Sequence, residues 1–279
     1  MGLASPDGPS LEEFERQVDA LVAGLARADG QARLGGTVAQ LIGFGSDDSM
    51  LTAAVSIGDL DTASTVLANV PGAGTTLDGI EGNLNAATDL RSATMYQGGG
   101  PTAVVAWLGY RAPSFPEVPN MDRAASGADR FATFLDGVYD SRRDSPPDRV
   151  TVIAHSYGST LVASALQLTE HRIDDVVAYG SPGFLRGIEV ASLNVDEVHA
   201  TEARADGTAF WGRFFAGPTR TDPRDVSGVQ VFSSEAGQGT RAVTTHDMAP
   251  DQSGGAVGYL SPDSTTMGSI ARIAVGGKP

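Results

Sequence analysis

Short apolar segments alternate with amphipathic ones along most of this 279-residue chain, and this alternation constrains the fold more than any other feature. Apolar strands separated by helices are typical of a parallel sheet that helices cover on both faces. The segments predicted as such strands are Thr65–Val70, Ala103–Leu108, Val150–His155, Asp175–Tyr179, Glu197–Ala203 and Val229–Ser233.

Two further β-like segments, Thr37–Phe44 and Met50–Ile57, precede these strands. The polar residues 46–49 between them suit a hairpin turn. The chain therefore predicts an α/β fold, with a mostly parallel eight-stranded sheet, helices on both faces and an initial antiparallel hairpin. Without an internal repeat or a linker-like segment, residues 37–279 are expected to form one domain. Eight strands that begin with a hairpin resemble the α/β-hydrolase arrangement, so the expected domain is of the α/β-hydrolase type.

An amphipathic helix is predicted over residues 11–28, because apolar residues recur there at spacings of three and four. Ser10 and Glu13 have the spacing of a capping box, in which each side chain accepts from a free amide at the helix start. Residues 1–36 are therefore predicted to be an N-terminal helical segment that packs on the domain. The alternative is a docking surface for a partner protein.

Composition excludes several classes of function. The formal net charge is −15, which argues against binding to nucleic acid. The absence of cysteine excludes disulfides, cysteine-ligated zinc and thiol catalysis. No apolar run has the length of about 18 residues that indicates a transmembrane helix, and no signal peptide is visible at the start. The compartment, cytoplasmic or secreted, and the oligomeric state stay open.

Residues 151–166, TVIAHSYGSTLVASAL, place Ser156 between a predicted strand and a predicted helix. A nucleophile elbow needs small residues two positions before and after the serine, because strand and helix backbones come very close there. Ala154 and Gly158 satisfy this, although alanine replaces the first glycine of G-x-S-x-G. The alternative is an ordinary tight turn. Ser156 follows the fifth predicted strand, as the nucleophile does in the α/β-hydrolase arrangement.

A serine nucleophile needs a base, which is usually histidine, and the chain has four. His155 is expected to point away from the serine, since side chains alternate along a strand. His171 lies at the far end of the following helix, and His199 lies within a predicted strand. His246 lies in a polar loop after the last strand, where this arrangement carries its base, so His246 is predicted as the base.

The acid that orients the histidine should follow the sixth or seventh strand of the sheet. Asp206 lies just beyond the predicted strand Glu197–Ala203 and is the predicted acid. Glu202 and Asp247 are its rivals. The order Ser156, Asp206, His246 is that of the α/β-hydrolases.

An acyl-transfer site must also stabilise the oxyanion of the tetrahedral intermediate. We expect one backbone N–H from Tyr157, the residue after the serine, and a second from Ala73 in the glycine loop VPGAGTT. The loop does not fit a phosphate site, because no lysine follows its glycines. Aromatic and apolar residues of nearby loops are predicted to line the substrate pocket: Phe115, Phe184, Phe210, Trp211 and Met248.

Several segments together resemble an actinobacterial family of α/β-hydrolase domains of formerly unknown function. They are SIGDLDTASTVLANVPGAGTT, VVAWLGYRAP, VIAHSYGST, VVAYGSPG and THDMAPDQSGGAVGYLSPDSTTMGSIARIAVG, and the resemblance covers roughly residues 37–275. The family typically shows G-H-S-Y-G, from which Ala154 departs. The resemblance implies serine hydrolase chemistry, with catalytic residues at Ser156 and His246 and a looser match at Asp206.

These observations predict a carboxylic-ester hydrolase, esterase- or lipase-like, that acts on a small acyl ester or lipid through a serine, histidine and aspartate triad. An apolar pocket mouth favours such substrates over peptides or sugars. Neither a metal nor an organic cofactor is implied. The alternatives are an amidase, peptidase or acyltransferase with the same triad, or a non-catalytic binding protein with this fold.

Overall fold

The computed structural model describes residues 9–47, 50–216, 219–249 and 255–279. Its main sheet has eight strands, which are β1 (Ala39–Asp47), β2 (Met50–Ile57), β3 (Thr65–Val70), β4 (Thr102–Leu108), β5 (Arg149–His155), β6 (Ile173–Tyr179), β8 (Val195–Thr201) and β10 (Gln230–Val231). A separate pair consists of β7 (Phe184–Leu185) and β9 (Arg220–Thr221).

The strands of the main sheet lie in the order β1-β2-β4-β3-β5-β6-β8-β10. β1 pairs antiparallel with β2, and β2 pairs antiparallel with β4. The remaining neighbours pair in parallel. The predicted mostly parallel sheet with an initial antiparallel hairpin is therefore confirmed. Because parallel strands end at the same edge, the loops that follow β3, β5, β6 and β8 come together there.

Six α-helices accompany the sheet within the described ranges: α1 (Leu11–Leu34), α2 (Ile80–Tyr96), α3 (Asp122–Asp140), α4 (Tyr157–Ala165), α5 (Gly207–Ala216) and α6 (Thr265–Ile273). Side chains that alternate along the strands supply two separate cores. Val152 faces α3 and α4, whereas its neighbour Ile153 belongs to the core with α1, α2 and α6. Helices thus cover both faces, as predicted.

Helix α1 starts with the predicted capping box, since Ser10 Oγ accepts from the Glu13 amide and Glu13 accepts from the Ser10 amide. Its buried side carries Leu21 and Ala28 into the core beside α2. The division into residues 1–36 and 37–279 stays a prediction. Within the described residues, no helix is long and apolar enough to cross a bilayer.

Some predicted strand bounds are wrong. β1 continues through Ser46 to Asp47, where a turn was expected, because these two residues still pair with Leu51 and Met50 of β2. The other two residues of the expected turn lie outside the described ranges. β8 ends at Thr201, so Glu202 follows the strand, and β10 is only two residues long.

Candidate active site

Ser156 occupies a strained turn between β5 and α4. Its φ of 49° and ψ of −128° make it the one non-glycine residue with positive φ in the described ranges. A Cβ on Gly158 would lie 2.6 Å from the carbonyl oxygens of both Val70 and Pro71, so only glycine fits there. Ala154 is fully buried and pairs with Val70 and Ala178 on the neighbouring strands. A methyl group is therefore accommodated at that position.

The loop that carries His246 brings its imidazole next to the serine. His246 Nε2 lies 3.0 Å from Ser156 Oγ. Two backbone hydrogen bonds hold this loop against the segment before α6. The Tyr259 amide donates to Asp247 O, and the Leu260 amide donates to Met248 O. His246 thus lies where it can accept the serine proton.

Asp206 lies on the other side of the imidazole. Its Oδ1 and Oδ2 are 2.9 and 2.8 Å from His246 Nδ1. A carboxylate only accepts, so Nδ1 carries the proton and Nε2 is left to accept from the serine hydroxyl. The structure therefore brings Ser156, His246 and Asp206 together in one chain of hydrogen bonds.

Neither rival acid lies against the imidazole. Glu202 binds the guanidinium groups of Arg213 and Arg224. Asp247, next to His246 in sequence, accepts from Thr245 Oγ1 at 2.9 Å.

The Asp206 carboxylate is buried yet held in its ionised form. Burial alone would raise the pKa of Asp206, but hydrogen bonds from His246, the Ala209 amide and the Tyr259 hydroxyl outweigh it and lower that pKa. Burial, together with the negative charge of Asp206, raises the pKa of Tyr259, which therefore stays a neutral donor.

His155 does not point away from the site as expected. Its ring lies 4.8 Å from the ring of His246, and its Nε2 is 2.8 Å from the His246 backbone oxygen. The strand ends at His155, and the turn directs its side chain beneath the His246 loop. Burial, with the nearby His246, lowers the pKa of His155 to about 3, so the ring is neutral and Nε2–H donates.

The glycine loop after β3 runs directly past the serine. A Cβ on Gly72 would lie 2.6 Å from the Cβ of Ser156, so glycine is required for this approach. Ala73 follows it and lines a pocket together with Ser156. Tyr157 is the first residue of α4, and the first amides of a helix have no acceptor within the helix.

A pocket of about 740 Å³ opens at Ser156. One wall is the segment after β4 and the other is α5, a helix that the sequence reading did not predict. Phe115 and Trp211 line this pocket, as the sequence led us to expect.

The other three predicted pocket residues do not line this larger pocket. Phe184 is 1% exposed and lies in the core, because β7 pairs with β9 and turns this side chain inward. Phe210 is exposed on α5 and packs edge-on against Trp211, and it does not line the pocket. Met248 lines a second, smaller pocket beside His246, where its sulfur lies 3.1 Å from Asn69 Nδ2.

Three titratable side chains away from the serine come close enough to share a metal ion: Asp175, Glu197 and His199. The Asp175 carboxylate is already paired, because Arg149 Nη2 lies 2.5 Å from Oδ2 and His199 Nε2 lies 3.1 Å from Oδ1. The Arg149 guanidinium forms a structural ion pair with Asp175, and its positive charge disfavours binding of a metal cation there. His199 thus pairs with Asp175 within the sheet, which agrees with the structural role expected for it.

Two residues at the site were missed by the sequence reading. Tyr259 is fully buried, donates to Asp206 Oδ2 at 2.8 Å and accepts from the Ala203 amide. Gly180 has φ of 57°, and a Cβ there would lie 3.0 Å from Asp206 Oδ2. Gly180 could have been found from the sequence, because a glycine directly after a strand indicates a tight turn or a close contact. No local pattern distinguishes Tyr259.

Comparison with known sequences agrees with this geometry. A family model described as alpha/beta hydrolase matches residues 47–208, more than half of the chain. The chain belongs to the α/β-hydrolase family. The match includes the strand and elbow around Ser156.

Relatives of this α/β-hydrolase chain include two uncharacterized proteins of Mycobacterium tuberculosis. One is 32% identical over 182 residues, which cover 63% of this chain and 26% of that protein. The other is 28% identical over 216 residues, which cover 72% of this chain and 79% of that protein. This chain thus spans about a quarter of the length of the first relative. The resemblance to an actinobacterial α/β-hydrolase family is confirmed.

Among solved structures, carboxyl esterase 2 of the mycorrhizal fungus Tuber melanosporum is similar, with a TM-score of 0.51. The sequence identity is 15%, and the match covers 85% of each chain. At that identity the similarity concerns the fold alone.

Proposed function

We propose that the protein is a serine hydrolase that cleaves carboxylic esters, with Ser156 as nucleophile, His246 as general base and acid, and Asp206 as the residue that orients His246. The observation that carries this proposal is the unbroken chain of contacts from Ser156 Oγ to His246 and on to the buried Asp206. The positive φ of Ser156 adds independent support, because backbone strain of this kind collects at functional sites.

In the proposed reaction, Ser156 Oγ attacks the ester carbonyl carbon while His246 Nε2 takes the hydroxyl proton. Collapse of the tetrahedral intermediate breaks the bond to the alcohol oxygen, which leaves with that proton. Water then attacks the acyl carbon while His246 Nε2 takes one of its protons. The bond between the acyl carbon and Ser156 Oγ breaks, Oγ receives that proton from His246, and the carboxylic acid is released. Asp206 keeps the proton on His246 Nδ1 and stabilises the imidazolium that forms in each step.

The backbone amides of Tyr157 and Ala73 are the proposed oxyanion donors. The position of Tyr157 at the first turn of α4 supports the first, since the amides at a helix start favour negative charge. The close approach of Gly72 to Ser156 supports the second, since Ala73 directly follows Gly72 and lines the same pocket as Ser156. Hydrogen bonds from Tyr110 to Pro71 O and from the Gly74 amide to Pro113 O fix this loop from both sides.

An ester substrate fits the walls beside the serine. The larger pocket consists mainly of aromatic, proline and aliphatic side chains. Such a surface binds acyl groups and lacks the array of polar groups that a peptide backbone or a sugar requires.

Steady-state kinetics on p-nitrophenyl butyrate test the assignment. Asp206→Asn should lower kcat by about 10⁴, because the wrong histidine tautomer then faces the serine. Ser156→Ala should abolish ester hydrolysis through an acyl-enzyme, because the hydroxyl that attacks the carbonyl carbon is removed. Glu202→Gln is the matched control and should keep kcat within about threefold, since Glu202 binds arginines rather than His246. A large loss in Glu202→Gln with activity retained in Asp206→Asn would refute the assignment.

A further inference from the structure

Two pockets meet at the proposed catalytic residues, and they differ in which of those residues they contain. The pocket of about 740 Å³ is lined by Ser156 but not by His246. The second, of about 340 Å³, is lined by His246 but not by Ser156. Ala73 and Phe115 line both and form the wall between them.

Ester hydrolysis requires the two halves of the substrate to lie on different sides of the serine. The acyl carbon becomes bonded to Ser156 Oγ, so the acyl chain extends into space that adjoins Ser156. The alcohol oxygen receives its proton from His246 Nε2, so the alcohol lies on the side of His246. This step rests on the function proposed above.

We propose that the larger pocket binds the acyl group and the smaller pocket binds the alcohol. The substrates are then esters that join a long or bulky apolar acid to a small, polar alcohol. The acyl group stays in the larger pocket as the acyl-enzyme while the alcohol leaves through the smaller one.

The chemistry of the larger pocket suits an uncharged apolar acyl group. No charged side chain is among its described lining residues. Phe115, Val118 and Trp211 supply apolar surface from the two walls. Its volume lies in the range that encloses drug-sized ligands, so an acyl group well beyond acetyl fits.

The smaller pocket suits an alcohol that carries further hydroxyl groups. Thr75, Asn83 and Asp247 bring polar side chains to its lining. A volume less than half that of its neighbour limits the size of the alcohol.

Two ratios of kcat/KM test this assignment in the full chain. The acyl ratio compares p-nitrophenyl octanoate with p-nitrophenyl acetate, and the alcohol ratio compares glyceryl monobutyrate with octyl butyrate. Both ratios should exceed about tenfold in the wild type, because each pocket rejects the group that does not match it.

Variants that fill one pocket should move one ratio only. Thr208 is exposed and lines the larger pocket. The variant Thr208→Trp should lower the acyl ratio about tenfold or more. Val118→Phe fills the same pocket from the opposite wall and should act in the same direction. Thr75→Trp is the matched variant in the smaller pocket and should lower the alcohol ratio instead.

The opposite pattern, in which Thr208→Trp and Val118→Phe change the alcohol ratio, would overturn the assignment. So would unchanged ratios in variants whose circular dichroism and Tm match the wild type. A small fluorophosphonate separates this failure from that of the proposed function. Labelling of Ser156 together with the wrong ratios refutes the pocket assignment alone, whereas no labelling and no ester turnover refute both.

Discussion

At the scale of single residues, the site depends on contacts that extend beyond the three proposed catalytic side chains. Tyr259 holds Asp206, and His155 holds the backbone of His246. Gly180 and Gly72 leave the space that Asp206 and Ser156 occupy. Each of these residues limits the motion of a proposed catalytic group. A group that is already held in its reacting position loses less entropy when the reaction takes place.

Replacing Tyr259 by phenylalanine tests this view of the acid. The variant removes the hydrogen bond to Asp206 and leaves the Ala203 amide without its acceptor. We expect kcat to fall about tenfold, with KM for p-nitrophenyl butyrate unchanged, because the ring still fills its site. Stability should fall by about 1–3 kcal/mol in denaturant titrations.

Tyr179→Phe is the matched control for that variant. Tyr179 is equally buried, but its hydroxyl lies 3.4 Å from Asn69 Oδ1 and does not contact Asp206. If both variants lowered kcat equally, the effect of Tyr259 would be general packing, and its role in holding Asp206 would be refuted.

The buried His155 gives the free energy of unfolding a dependence on pH. Its pKa is about 3 in the folded chain and about 6.5 in an unfolded one, so between these values the unfolded state binds the extra proton. Stability therefore falls as the pH drops below about 6.5. The contribution of His155 should amount to about 1–2 kcal/mol between pH 6.5 and 5.

Denaturant titrations of the wild type and His155→Gln at both pH values measure this contribution. Glutamine retains a donor for the His246 carbonyl but does not titrate. The variant should show the shallower dependence on pH, and equal slopes for the two proteins would contradict the argument.

At the scale of elements, the site is assembled by the ends of parallel strands. β5 ends at the serine, the loop after β3 passes beside it, and the segment after β8 carries Asp206. Helix α5 then forms one wall of the larger pocket, and the Ala209 amide near its start donates to Asp206. The same helix thus connects Asp206 to a wall of the larger pocket.

Much of this assembly was visible in the sequence, because wholly apolar strands and the elbow pattern are local signals. The positions of Ser156, Asp206 and His246 followed from strand rank and from the small number of histidines. Phe184 is a residue whose position local sequence signals did not predict. Its inward direction depends on the pairing of β7 with β9, which joins segments far apart in the chain.

The same limit applies to the other surprises. The sequence predicts Phe210 and Trp211 only as residues of a loop, although they lie in helix α5, because this short apolar segment is compatible with several structures. Tyr259 reaches Asp206 across 53 positions of sequence. No periodicity or spacing predicts a contact of that kind.

The packing of α1 on α2 offers a test at this scale. A Cβ on Gly24 would lie 3.2 Å from Ile80 Cγ2, whereas a Cβ on Gly30 in the same helix meets nothing within 4 Å. Gly24→Leu should therefore lower stability by about 1–3 kcal/mol through overpacking. Gly30→Leu, the matched control, should raise it by about 0.5–1 kcal/mol, because glycine is costly inside a helix.

Thermal or denaturant unfolding of both variants gives the comparison. Equal effects at the two positions would mean that α1 does not pack against α2 in solution. Ester hydrolysis by both variants below their unfolding temperatures should match the wild type, since neither position adjoins the site.

At the scale of the whole molecule, the fold places two kinds of surface on either side of one serine. Helices cover both faces of the sheet and bury two separate cores. The loops at the carboxyl edge are left to hold the three proposed catalytic residues and the two pockets beside them. A member of the α/β-hydrolase family can change these loops without disturbing the sheet, so the substrate is set by the loops of this particular chain.

The central claim is that Ser156 is a nucleophile activated by His246, and covalent labelling tests it most directly. The 279-residue chain is incubated with a small fluorophosphonate, and the adduct is located by peptide mass spectrometry. We predict one adduct, on Ser156, that forms much more slowly in His246→Ala and is absent from Ser156→Ala. An unlabelled Ser156 in the folded wild type, or an adduct on another residue, would contradict the account.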